Sequence, residues 1–295
     1  MFTAFILVRN IESVFETLNF GEFTLQPVGS RYAELRDRLS YVEVNRDDWI
    51  LEKFYTLLPP GPPGSSVGGI PNDMEDTLLL LRLFSIGDIS FIKQAITLPS
   101  GETRVQFPYR AINDLNSYSS SPFRTGPEEA RSWKAFADLI RQTPSWGSDW
   151  FAVARRFFLS GGAKQWNPRW DDVDRVLDYA TALEATLVPE KSFNSRRMRH
   201  RAAALVAPDN PADSNLVRNL VNKLYDIRSQ VVHGSKLTEE NRSWLFQNWR
   251  EVEAPVRDIL VNAVQKLPPG DQDRRIALAG LYDPTDEDRA RRHHR

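Results

Sequence analysis

The chain has 295 residues, enough for two domains or one large domain, and its 41% hydrophobic and 26% charged residues are ordinary globular values. A formal net charge of −1 gives no overall attraction to nucleic acid, so any polyanion site must be a local patch. The absence of cysteine excludes disulfides and thiolate metal sites. With only two of four histidines outside the charged C-terminal tail, no metal or other cofactor is expected.

The apolar runs near the N-terminus are short. Residues 1–9 begin without a basic lead-in, are too short to span a membrane and lack the cleavage pattern of a signal peptide. The run at residues 78–84 is interrupted by Arg82. We therefore expect a soluble, cytoplasmic protein with no membrane partner.

Residues 1–125 have the pattern of a small mixed α+β region. A helix is predicted over 74–84, after a loop at 58–72 whose five prolines are incompatible with a helix. Short segments rich in β-branched and aromatic residues predict strands at 2–8, 23–27, 41–44, 49–57, 89–98 and 104–107.

The second half of the chain has helical periodicity. Helices are predicted over 127–142, 148–159, 170–187, 192–206, 214–233, 238–266 (bent or broken before Pro255) and 271–281. The fold class is therefore mainly α. A helical bundle occupies residues 126–285, the α+β region occupies residues 1–125, and residues 286–295 form a charged tail.

Arg228 interrupts the apolar face of the helix predicted over 214–233. At ~100° per residue, the apolar residues from Leu216 to Val232 fall within one arc of roughly 160°, and Arg228 lies inside it. A buried guanidinium requires a carboxylate, a partner subunit or a bound anion. Arg228 is therefore either a structural residue, snorkelling or paired with Glu184 of the helix 170–187, or a group that holds a phosphate.

His233 ends the same helix, directly before Gly234, which suits the first position beyond a helix C-terminus. The helix dipole there favours the imidazolium form, and Asp226 or Ser229 on the same polar strip could orient the ring. Arg228 and His233 are ~140° apart around the helix, so they meet only if its end unwinds or a second copy contributes. We therefore expect a dimer with the site at its joint, unless His233 is only a helix-end cation.

The segment 190–236 is locally basic, with nine Lys and Arg against four Asp and Glu. It is either a solvated basic face or a surface that follows a phosphate backbone. His200, within the basic run, is not assigned as a ligand. The candidate RNA-binding residues are Arg196, Arg197, Arg199, Arg201, Lys223 and Lys236.

Three segments resemble the HEPN superfamily, in its Apea-like branch. Residues 174–188 (DRVLDYATALEATLV) resemble its central helix with a Leu-Glu pair, and residues 199–203 resemble the Arg-Ala segment of the next helix. Residues 224–234 (LYDIRSQVVHG) resemble the helix that carries its Arg-x4-6-His motif. The resemblance covers roughly residues 128–281, with no comparable match for residues 1–125.

The resemblance implies a HEPN-like helical bundle that dimerises face to face around a shared cleft. Active members are metal-independent endoribonucleases, many acting on transfer RNA or invader transcripts in toxin–antitoxin and anti-phage systems. Arg228 would then hold the scissile phosphate, and His233 would be the general acid and base. Ser229, where the family often has Asn, Asp or His, would have a supporting role together with Asp226 and Glu184. The implied partners are RNA, a second copy, and an antitoxin or defence-complex protein.

Three functional hypotheses follow. The first is a homodimeric HEPN endoribonuclease in which residues 1–125 serve substrate choice, partner binding or control. The second is a non-catalytic module of the same fold that dimerises and binds RNA or a protein partner. The third places the function in residues 1–125 and makes the bundle a dimerising scaffold.

Overall fold

The structure is a computed structural model that describes residues 2–9, 11–13, 17–20, 22–38, 49–55, 72–84, 90–97, 103–106, 123–125, 127–163, 173–190, 194–248 and 251–283. The described residues are mainly helical, with a small antiparallel sheet in the N-terminal part. The chain divides into two compact units, residues 1–138 and residues 139–295.

The N-terminal unit contains an antiparallel sheet. The strands of this unit are β1 (Phe2–Arg9), β2 (Ile11–Ser13), β3 (Leu18–Phe20), β4 (Phe23–Pro27), β5 (Trp49–Tyr55), β6 (Ser90–Thr97), β7 (Thr103–Gln106) and β8 (Phe123–Thr125). The sheet order is β3-β4-β5-β1-β6-β7, and β2 pairs in parallel with β8. The alternating buried residues Phe23 and Leu25 of β4 show that one face of the sheet covers the core.

Helices α1 (Tyr32–Arg38) and α2 (Asn72–Phe84) and the first part of α3 (Pro127–Arg141) complete this unit. On α3, Trp133 packs edge-to-face on Phe20 with ring centroids 5.1 Å apart, and Phe136 lies 5.6 Å from Phe84. These aromatic contacts join the start of α3 to the N-terminal unit. The division between the units therefore falls within α3, whereas the sequence predicted it before this helix, at residue 125.

The C-terminal unit is a helical bundle. After α3 its helices are α4 (Asp149–Ala163), α5 (Asp174–Leu187), α6 (Asn194–Val206), α7 (Pro211–Val232), α8 (Glu239–Asn248), α9 (Glu253–Lys266) and α10 (Asp271–Leu281). Helix α5 is central, since it packs against α4, α6, α7 and α9, and its Tyr179, Leu183 and Leu187 are fully buried. Within the described ranges, no helix has both the length and the apolar character that crossing a membrane requires.

A buried ion pair joins α5 to α9. The Arg175 guanidinium contacts Oε2 of Glu253 at 2.6 Å, and the Tyr179 hydroxyl donates to the same oxygen at 2.7 Å. Because the carboxylate accepts from two donors in a poorly hydrated place, the pair fixes the relative position of the two helices.

Most predicted elements are confirmed. The strands predicted at 2–8, 23–27, 49–57, 89–98 and 104–107 correspond to β1, β4, β5, β6 and β7, and the helices predicted after residue 126 are present. The strand predicted at 41–44 lies outside the described residues, and so do the first three residues of the helix predicted over 170–187. The loop predicted over 58–72 also lies outside them, except for Asn72, which begins α2.

Helices α7 and α9 both have a proline in their first turn. The segment 238–266 is broken before Pro255, one of the two predicted alternatives, into α8 and α9. Pro255 lies in the first turn of α9, where its missing N–H costs no hydrogen bond. Helix α7 begins at Pro211, because the Asn210 side chain accepts from the amides of Ala212 and Asp213 at 3.1 and 3.3 Å.

Gly161→Ala tests the close approach of α4 to α5. A Cβ at residue 161 would lie 2.8 Å from two ring carbons of the buried Tyr179 and 3.2 Å from the carbonyl oxygen of Arg175. Overpacking of this kind lowers the free energy of unfolding by about 1–3 kcal/mol, measurable by urea denaturation. Gly280→Ala in α10 is the matched control: nothing lies within 4 Å of its Cβ, so a gain of about 0.5–1 kcal/mol is expected. Equal effects of the two substitutions would contradict the packing described.

Candidate functional site

Helix α7 carries the two candidate catalytic residues. It is anchored by Val221, Leu224 and Ile227, which are completely buried against the bundle. The buried arc is narrower than predicted, because Leu216 and Val232, at opposite ends of the helix, are 68% and 61% exposed. Both residues lie near the edges of the predicted apolar face, where the neighbouring helices no longer cover them.

Arg228 faces the bundle and pairs with Glu184 of α5. Its NH2 lies 2.6 Å from Oε2 of Glu184, and about a fifth of each side chain is exposed. The other carboxylate oxygen of Glu184 accepts from the Asn194 side-chain amide at 3.0 Å. The pairing predicted for these two residues is thus present, and the carboxylate offsets the charge of Arg228. A guanidinium has five N–H donors, more than this one contact can use.

His233 is the C-cap residue of α7 and is exposed to solvent. The Ser235 amide donates to the Gln230 carbonyl at 2.8 Å, and the Gly234 amide donates to the Val231 carbonyl at 3.0 Å. Gly234 has a φ of +70°, so these bonds form the left-handed ending that glycine favours. Helix α7 remains regular up to this ending, so unwinding does not bring His233 towards Arg228 in one chain.

Asp226 and Ser229 do not orient the His233 ring. Asp226 accepts from the Asn222 side-chain amide at 2.9 Å, and Oδ1 of Asn222 accepts from Ser195 and Arg199 of α6, both at 3.2 Å. In the part of the chain that the structure describes, neither Asp226 nor Ser229 bonds to the imidazole. The prediction of such a bond is therefore corrected: Asp226 belongs to a polar network between α6 and α7.

Two of the predicted RNA-binding arginines lie inside the bundle. Arg201 is fully buried; it donates to both carboxylate oxygens of Glu190 at 2.8 and 2.9 Å and to the carbonyls of Leu187 and Tyr282. Burial alone would raise the pKa of Glu190, but the hydrogen bonds and charge of Arg201 outweigh it and lower that pKa. Arg197, one helical turn earlier, is also buried, 3.7 Å from Asp283. For these two residues the prediction of RNA contact is corrected, because their charges serve the fold.

The other predicted RNA-binding residues are accessible. Arg196 and Arg199 are half-buried on α6, and Lys236 is exposed beyond the end of α7. Lys223 lies 2.5 Å from Glu240 of α8. An exposed pair of this kind is weak and salt-sensitive, so it does not fix the ammonium group in one position.

Sequence analysis missed a cluster formed by His200, Arg218 and Tyr282. The rings of His200 and Tyr282 stack at 4.2 Å with an interplanar angle of 10°. Burial, followed by the charges of Arg218, Arg199 and Arg196, lowers the pKa of His200 from 6.5 to about 4. The sequence does contain one indication that His200 and Arg218 are close. The helices predicted over 192–206 and 214–233 are joined by a short connection, which makes them antiparallel neighbours and brings together the ends nearest the loop.

Comparison of the chain with protein-family models, with curated proteins and with solved structures finds no match to any of them.

The depressed pKa of His200 predicts acid destabilisation in a defined range. A group whose pKa is lower in the folded state contributes stability that is present above its unfolded value, here 6.5, and is lost as the pH falls towards about 4. His200→Gln removes this titration. We expect its free energy of unfolding, measured by urea denaturation from pH 7 to pH 4, to fall less than that of the parent protein. Parallel curves for the two proteins would contradict the assignment.

Proposed function

We propose that this protein is a metal-independent endoribonuclease of the HEPN type that acts as a homodimer in a defence or toxin context. The observation that carries the proposal is the placement of Arg228 on the inward face of α7, with His233 five residues later at the helix end. The locally basic segment 190–236 and the resemblance of three segments to HEPN proteins support it. That the C-terminal unit is a HEPN-like bundle is part of the same proposal.

The chemistry requires a charge clamp and a proton carrier. The 2′-hydroxyl of a ribose attacks the adjacent phosphorus, the O2′–P bond forms, and the P–O5′ bond breaks. A proton leaves O2′ and one is delivered to O5′, so the products are a 2′,3′-cyclic phosphate and a 5′-hydroxyl. Arg228 would hold the phosphate oxygens through the donors that Glu184 does not use, and the His233 imidazole would transfer the proton.

Two copies are needed to assemble such a site. Because α7 is regular up to Val232, Arg228 and His233 project about 140° apart from one helix. A second copy related by a two-fold axis places its His233 opposite the first copy's Arg228, and the reverse contact forms at the same time. The exposed Val232, the last residue of α7, supplies apolar surface at this end of the helix.

A non-catalytic role for the same module is favoured by two observations. Arg228 is already paired with a carboxylate, and His233 has no hydrogen-bond partner among the described residues to orient its ring. In this alternative the module dimerises and binds RNA or a protein without cutting. In either case we propose that the N-terminal unit serves substrate choice, partner binding or control. The RNA that the module cuts or binds is proposed to be transfer RNA or an invader transcript.

Arg228→Ala and His233→Ala test the chemistry directly. The parent protein should cut RNA in EDTA and leave 2′,3′-cyclic phosphate ends, while each variant should lose on the order of 10²–10⁴ in rate, as expected for loss of a positioned acid–base or charge clamp. Arg275→Ala, at an exposed arginine of α10, is the matched control and should cut at the parent rate. Retention of RNA binding without cleavage by the parent would favour the non-catalytic alternative, and equal cutting by all four proteins would contradict the proposed site.

Mixing the two inactive variants tests the shared site. If Arg228 of one chain works with His233 of the other, a heterodimer of the two variants contains one intact pair. Random exchange of subunits should then restore about a quarter of the parent activity per chain, because half of the dimers carry one working site of two. Absence of recovery, with subunit exchange verified by differently tagged copies, would show that each chain uses its own pair.

A further inference from the structure

The facing sides of α6 and α7 carry three arginines around His200. Arg196 and Arg199 come from α6 and Arg218 from α7, and all three act on His200 strongly enough to lower its pKa. Together with Tyr282, which stacks on His200, they are named the cation–aromatic cluster here. Its five side chains are half-buried, so each is in contact with both the protein and the solvent.

The charges of Arg199 and Arg218 are held in place without being neutralised. Arg199 donates to the amide oxygen of Asn222 at 3.2 Å, and Arg218 donates to Asn215 at 3.2 Å and Ser214 at 2.8 Å. All of these acceptors are neutral. Among the described residues, no carboxylate lies within ion-pair distance of either guanidinium, in contrast to Arg197, Arg201 and Arg228 elsewhere in the bundle.

Such an arrangement fits a phosphodiester. Planar guanidinium groups bind phosphate oxygens through paired N–H donors, and oriented arginines lose little conformational freedom when they do so. An aromatic pair beside them adds a surface on which a nucleobase can stack. His200 is neutral at pH 7, so its ring keeps one hydrogen-bond donor and one acceptor.

We propose that the cation–aromatic cluster is a binding site for a phosphate and its nucleobase in single-stranded nucleic acid, separate from Arg228 and His233. On α7, Arg218 lies ~22 Å along the helix axis from His233 and within ~60° of it around the helix. A strand that runs from the cluster along the polar side of α7 would therefore reach the helix end. That the bound strand is the RNA that is cut rests on the proposed function. The existence of the binding site does not depend on it.

Binding of a strand that cannot be cut tests the cluster. The probe is a fluorescent single-stranded 2′-O-methyl oligonucleotide of about 12 nucleotides, read by anisotropy at several salt concentrations. Arg199→Gln together with Arg218→Gln should weaken binding about 20-fold at 0.1 M salt and reduce the slope of log K against log salt by about 1.4, since each contact to a single strand contributes about 0.7. The matched control removes two cations from exposed ion pairs of α3, Arg131→Gln with Lys134→Gln, and should leave both values unchanged.

The parent protein provides a second measurement that does not depend on how the variants fold. The bound phosphate offsets the arginine charges, so the pKa of His200, followed by NMR, should rise above about 4 when the oligonucleotide is added. An unchanged His200 pKa in the presence of saturating oligonucleotide overturns the proposal, as does unchanged binding by a folded Arg199→Gln, Arg218→Gln protein. Equal affinity for a duplex of the same length contradicts the assignment to a single strand.

Failure of this inference is distinguishable from failure of the proposed function. In the double variant Arg228→Ala, His233→Ala, which cannot cut RNA, the further substitutions Arg199→Gln and Arg218→Gln should still weaken oligonucleotide binding about 20-fold. Binding that depends on the cluster in a parent that never cuts RNA would retain the site and reject the enzyme. A parent that cuts RNA, and whose oligonucleotide affinity is unchanged by both cluster substitutions, would retain the enzyme and reject the site.

Discussion

The C-terminal unit depends on one buried charge, the guanidinium of Arg201. It has no solvent contact, and its hydrogen bonds go to both oxygens of Glu190 and to two carbonyls, those of Leu187 and Tyr282. The end of α5, the middle of α6 and the end of α10 are thereby fixed to one group. Removing one partner of such a set leaves a charge buried and uncompensated, which is far more costly than loss of a surface ion pair. The same contact places Tyr282 where its ring meets His200, so the fold and the cation–aromatic cluster have a common origin.

Sequence patterns predicted the helices well because their periodicity extends over several turns, as in α3 and α7. They predicted the partner of Arg228 because an arginine on an apolar face needs a carboxylate, and Glu184 lies mid-helix in the neighbouring element. They did not predict β2, β3 or β8, which have three residues each and are too short to show alternation. They also misjudged Arg197 and Arg201, because a run of basic residues has the pattern of a solvated face whether or not every fourth residue turns inward.

In the candidate site too, features set by the local sequence could be predicted, and features set by tertiary packing could not. The ending of α7 follows from Gly234 and is visible in the sequence, and so is the angular separation of Arg228 from His233. The cation–aromatic cluster depends on the register between α6 and α7 and on the path of the chain after α10, which no single helix encodes. The cluster is defined by two tertiary contacts, the stacking of Tyr282 on His200 and the proximity of Arg218 to His200. Long-range placement of this kind is a property of packing and not of local propensity.

Gln230 restricts the backbone on the C-terminal side of His233. Its carbonyl accepts from the Ser235 amide at 2.8 Å and its side chain accepts from the Thr238 amide at 3.2 Å, so one residue holds the two turns that follow α7. The Thr238 hydroxyl in turn accepts from the Asn241 amide at the start of α8. Much of the backbone entropy of residues 230–238 is therefore already lost in the free protein. A ligand that binds the His233 imidazole therefore needs to immobilise only the histidine side chain, because the backbone around it is already held by hydrogen bonds.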